Sequence, residues 1–129
     1  MSSIEAAAFW IALNIFLLIF LSARVGLVRT KTKTNLGDGD NPDMLKAIRT
    51  QGNYIEYAPA ALVGLLMLAL LGASATLVNI FGAVFLFARI SHMLGLGLDI
   101  WSKGRMVGII FTMMTLLATG LALLYFALT

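Results

Sequence analysis

Apolar residues arrive in four long runs, separated by short polar stretches. A helix needs about 20 mostly apolar residues to cross a hydrocarbon core of about 30 Å. The first run goes from Ala6 to Val28 and holds a single charge, Arg24, near its end. The second is apolar from Tyr57 to Leu71, behind a polar lead-in that contains Lys46. The third runs from Thr76 to Leu98 and contains Arg89; the fourth opens at Arg105. The pattern predicts an all-α, integral membrane four-helix bundle in up-down-up-down order. It forms one transmembrane domain over 1–129, with spans near 6–28, 45–71, 76–98 and 105–128. The first run is read as a true span and not a cleavable leader, because no basic segment precedes it and it is full-length.

The connections are Arg29–Asp43, Gly72–Ala75 and Leu98–Gly104. A turn as short as Gly72–Ala75 makes the second and third spans antiparallel neighbours. Asn41 before Pro42 reads as an N-cap followed by proline at the first helical position, so the second helix starts outside the apolar zone. Within it, Pro59 removes a backbone donor just beyond Glu56.

Charge placement orients the chain. With four spans, both termini and the Gly72–Ala75 turn share one side, which has no Lys or Arg. The other side holds Arg24, Arg29, Lys31, Lys33, Lys46, Arg49, Lys103 and Arg105. Short loops rich in Lys and Arg stay cytoplasmic. The expectation is a multi-pass membrane protein, with cytoplasmic long loops and termini on the opposite side. The basic face then meets lipid headgroups, and no nucleic-acid partner is expected.

Composition agrees. Hydrophobic residues reach 60%, charged residues only 12%, and mean hydropathy is +0.96. A soluble domain carries about 25% charged residues. Cysteine is absent, which excludes disulfides, a cysteine nucleophile and thiolate metal sites. With one histidine and six acids, no metal site is expected.

The few polar residues inside the spans carry the chemistry. Ionisable groups there cost at least about 2.5–3.5 kcal/mol on insertion scales and face a bundle interior or cavity. Arg49, Asn53 and Glu56 are spaced i, i+4 and i+7, which sets them on one helix face with Tyr57 at its flank. Arg89 and His92 lie one turn apart on the third span, and Arg105 opens the fourth. The residues come from three spans at roughly one depth, and three arginines stand against one glutamate. That excess of positive charge invites an anionic ligand. Singly, each has a plain structural reading: snorkelling for Arg49 and Arg105, interhelical bonding for Asn53, an ion pair for Glu56 with Arg89, an interior group for His92. Asn14, on the first span, has no partner legible in the sequence. Gly64, Gly72, Gly82, Gly95, Gly108 and Gly120 are sites for close helix approach.

The run Arg49-Thr-Gln-Gly-Asn53-Tyr-Ile-Glu56-Tyr57-Ala-Pro59, followed by Leu86-Phe-Ala-Arg89, resembles the MAPEG family, the membrane-associated proteins in eicosanoid and glutathione metabolism. The resemblance extends from the first span to Arg105, and the Gly-Asp-Gly loop points to the bacterial branch, which implies a bacterial inner membrane. It implies a homotrimer of four-helix protomers that binds glutathione as co-substrate between subunits, near the cytoplasmic end. By matching positions, Arg49, Asn53, Glu56 and Tyr57 would hold the tripeptide, Arg89 and His92 would support or contact it, and Arg105 would sit by its thiol. A basic residue after the neighbouring subunit's first span, Arg29 or Lys31, would complete the site. Two positions depart from the family. Leu96 stands where many members have a tyrosine, and Met106 where prostaglandin E synthase has a serine.

The activity so implied is a glutathione-dependent transferase or peroxidase that acts on lipophilic electrophiles or hydroperoxides entering from membrane lipid. The alternative is a non-enzymatic membrane protein that binds glutathione or an anionic lipid. A four-span exporter of cationic drugs needs an acid in mid-span, and the only acid on the first helix is Glu5, at its start.

Overall fold

The computed structural model describes residues Met1–Thr129. Four long helices follow one another: α1 (Ser3–Thr32), α2 (Pro42–Leu70), α3 (Ala75–His92) and α4 (Gly104–Leu128). A π-helical turn, Met93–Gly97, continues α3 before the loop to α4. All four elements are long and apolar enough to cross a membrane. The fold is an all-helical, four-helix membrane bundle.

Local chemistry sets most helix ends. Ser2 and Glu5 form a reciprocal capping box that opens α1. α1 closes at Lys33, whose positive φ of 53° turns its N–H back onto the carbonyls of Arg29 and Thr30. The helix therefore outlasts its apolar run, since hydrogen bonding and not lipid decides where it stops. Arg29 and Lys31 fall in its last turn, where the helix dipole favours cations. The Asn41 side chain accepts from the N–H groups of Asp43 and Met44, and Pro42 occupies the first turn of α2. α2 continues through Pro59. Ser74 caps α3 by accepting from Leu77 N–H. Only α4 starts without a side-chain cap.

α3 packs most extensively on α4 and α1 on α2, while α1–α3 and α2–α4 contacts close the bundle. Two apolar clusters fill it. One joins Ala6, Ala7, Leu65, Leu68, Ala69, Ala73 and Val78; the other joins Leu17, Leu21, Tyr54, Ala58, Ala61, Phe85 and Met93. The α3–α4 contact depends on Gly108, where a methyl group would come within 2.6 Å of Ala88 O and His92 N. Gly120 and Gly72 play no such part, for neither has a neighbour near its missing side chain. Outside, Phe16, Leu27, Val63, Leu117, Leu121 and Leu124 are each at least 60% exposed. Apolar patches on that scale need lipid or protein cover.

Candidate functional site

Helix register brings part of the polar set together. A cavity of about 260 Å³ opens between α2, the end of α3 and the start of α4. Its walls are Leu45, Lys46, Arg49, Asn53, His92, Leu96, Arg105 and Ile109. Four of the residues singled out in the sequence, Arg49, Asn53, His92 and Arg105, thus share one void. Lys46, Arg49 and Arg105 supply three cationic side chains to this wall, which has no carboxylate of its own. Each arrives by a local route. Arg49 and Asn53 are one turn apart on α2, so both face the same side. His92 ends α3, and Arg105 sits in the first turn of α4. The approach of α4 depends on Gly95 in the π-helical turn, because a methyl group there would collide with the backbone N of Arg105.

Arg49 and Glu56 face each other across two turns, with Nη1 and Oε1 3.5 Å apart and both side chains about half exposed (55% and 50%). The cation beside Glu56 is thus Arg49. Arg89 points elsewhere, into the bundle, where it is 2% exposed. Its guanidinium donates to Asn53 Oδ1 at 2.6 Å and to Thr112 Oγ1 at 3.1 Å. It also lies 5.9 Å from the ring centroids of Tyr54 and Tyr57. Arg89 and Tyr57 therefore stand behind the cavity wall.

Arg29 and Lys31 are not at this cavity within the protomer. Arg29 donates to Gly37 O at 2.9 Å and to Thr34 O at 3.4 Å, which ties it to the following loop. Lys31 lines a second polar cavity of about 230 Å³ between α1, the start of α2 and the end of the π-helical turn. Lys46 borders both cavities and pairs with Asp99 at 2.5 Å.

Three contributors escaped the sequence reading. Thr112 joins the Arg89 network and donates on to Gly108 O at 2.7 Å. Its signal was the series Thr112, Thr115 and Thr119, a polar stripe at helical spacing that α4 buries against the bundle. Tyr54 donates to the carbonyl of Asn14 at 2.9 Å and faces Asn14 Oδ1 at 3.1 Å, which gives Asn14 its partner. Arg24 donates to Gly97 O and so ties α1 to the π-helical turn. No local pattern marks the last two.

Four spanning-length helices, three of which border a basic, partly open polar cavity, are the frame of a multi-pass membrane protein. The chain belongs to the MAPEG family, whose profile matches residues 7–125. It is 35% identical over 89 residues to the inner membrane protein YecN of Escherichia coli K12, across 69% of this chain and 68% of that one. The same figures hold for the protein of that name from the O6:H1 strain.

Proposed function

We propose that this protein is a glutathione-dependent transferase or peroxidase of a bacterial inner membrane, acting on lipophilic electrophiles or hydroperoxides. Membership of the MAPEG family and the inner-membrane relatives support the class and the location. The observation that carries the reading is the convergence of Arg49, Asn53, His92 and Arg105 on one cavity. Glutathione brings two carboxylates to these cations and a thiol to a chain without cysteine.

The roles follow from the chemistry of each group. Arg49 presents a fork suited to a carboxylate. Asn53 bonds a peptide or carboxylate group. Glu56 steadies Arg49. Arg105 faces the sulfur. The thiolate is the nucleophile, and a free thiol with pKa near 8.5 is mostly protonated at neutral pH. A guanidinium that cannot lose its proton favours the charged sulfur, and the uncapped start of α4 adds a positive dipole end. The second substrate enters from the bilayer. Conjugation then forms a carbon–sulfur bond as the electrophile's leaving group departs or its double bond takes up a proton. Hydroperoxide reduction instead passes two electrons from sulfur to the O–O bond, yielding an alcohol and a glutathione sulfenic acid that a second glutathione converts to disulfide and water.

A protomer alone does not enclose the ligand. Its cavity falls below the roughly 300–1,000 Å³ typical of small-molecule pockets, and Arg49 and Arg105 are exposed. In a homotrimer a neighbour closes this side, with Arg29 or Lys31 as its cationic contribution. The long loops lie in the cytoplasm.

The test is the absorbance difference near 240 nm, about where thiolates absorb, on addition of glutathione to the detergent-solubilised protein. A thiolate signal is expected, and Arg105→Ala should abolish it. Binding without the signal would move the assignment to a non-enzymatic glutathione binder. That second reading is favoured by Leu96, an apolar part of the cavity wall at the position where the resemblance places a tyrosine hydroxyl.

A further inference from the structure

Arg89 is 2% exposed, yet no carboxylate lies within ion-pair distance of it. Dipoles and ring faces meet its charge instead: Asn53 Oδ1, Thr112 Oγ1 and the rings of Tyr54 and Tyr57. A guanidinium has five N–H donors and no acceptor. A carboxamide has two chemically opposite ends, and only its oxygen can face such a group. The Asn53 oxygen is therefore held inward at 2.6 Å, and the NH2 end is turned away from Arg89. That nitrogen makes no bond to the protein and is not among the buried orphans, while Asn53 itself lines the cavity.

We infer that Arg89 is a positioning residue that sets the polarity of the Asn53 amide, so that Asn53 offers the cavity donors only and selects a ligand with a carboxylate or peptide carbonyl at that point. The rest of the wall has the same sense. Lys46, Arg49 and Arg105 donate and cannot accept. His92 is the one polar side chain on the wall with an acceptor atom besides Asn53, and its Nδ1 is buried without a partner. Asn53 is thus a polarity filter: a thiol that presents only donors at that point finds no counterpart there. The identity of the ligand rests on the glutathione reading above; the polarity of the amide does not.

Asn53→Asp reads the sign. Its carboxylate would pair with Arg89, so the thermal midpoint in detergent should stay at or above wild type. Asn53→Ala leaves Arg89 short of an acceptor and should lower it. In the cavity the same carboxylate meets the ligand with an acceptor where a donor is needed. Glutathione affinity by titration calorimetry should therefore fall about tenfold in Asn53→Ala and about tenfold further in Asn53→Asp. Affinity in Asn53→Asp equal to or above that of Asn53→Ala overturns the inference. If wild-type protein does not bind glutathione, the ligand reading fails, and proton exchange at the Asn53 side-chain amide still decides polarity. Should Asn53→Asp not accumulate, wild-type protein labelled with 15N-asparagine supplies the answer. The Asn53 side-chain amide protons should exchange rapidly with water in the free protein, and protection of those protons, as expected of an inward NH2 group, refutes the assignment.

Discussion

Asn14 sits at the centre of an apolar run and is fully buried. Its own Nδ2 donates to Trp10 O at 2.9 Å, and Tyr54 closes the pair from α2. A buried amide without a donor for its oxygen is costly in lipid, where interhelical bonds average about 0.6 kcal/mol and reach about 1.7. Tyr54→Phe should thus lower unfolding free energy in mixed micelles by about 0.5–2 kcal/mol; wild-type stability would show the bond to be idle. Glu56 is the opposite case. Its partnership with Arg49 is half-exposed and long, so it contributes little to the protomer's stability. Glu56→Gln should weaken glutathione binding about three- to tenfold through a less steady Arg49, with an unchanged thermal midpoint. Loss of expression or of the oligomer would instead mark the pair as structural. Of these residues, Glu56 was legible as a member of the Arg49 face, because that face lies on one helix, whereas its pairing with Arg89 was misread: the cation beside it is Arg49. Asn14 was not, because its partner is 40 residues away.

The elements were legible where their signals are local. Asn41-Pro42 marks the start of α2 directly, since the cap bonds span only two and three residues. The π-helical turn is different. An apolar run predicts a span and is silent on whether backbone bonds close over four residues or five. What the turn achieves is tertiary: with Gly95 and Gly104 it lets the start of α4 lie against the end of α3. Two substitutions separate the roles of these contacts. Gly108→Ala should destabilise the bundle by about 1–3 kcal/mol, by overpacking against the backbone of Ala88 and His92. Gly95→Ala should displace Arg105, so the 240 nm thiolate signal falls more than glutathione affinity does. Equal losses in both would mean that the start of α4 moves as a whole with the ligand site.

At the scale of the whole molecule, lipid and subunits share the surface. The apolar belt needs acyl chains, while exposed Arg49, Glu56 and Arg105 need water, ligand or a neighbour. Native mass spectrometry in mild detergent should find three copies; a monomer would leave the cavity open on one side and defeat the proposed site. The absence of cysteine makes orientation easy to test. Single cysteines at Leu36, in the loop after α1, and at Gly72 should behave oppositely toward an impermeant maleimide applied to intact spheroplasts. Gly72→Cys should label and Leu36→Cys should not; the reverse pattern inverts the topology. Helix number, approximate length and the residues that lipid would reject were written in the sequence, because hydropathy and caps are short-range properties. Which of those residues face one another was not. Arg49, Asn53, His92 and Arg105 share a void, whereas Arg89 turns into the bundle and Arg29 folds onto its own loop. That partition depends on the rotation of each helix about its axis and on how closely glycine lets α4 approach α3, and packing between distant segments alone decides both.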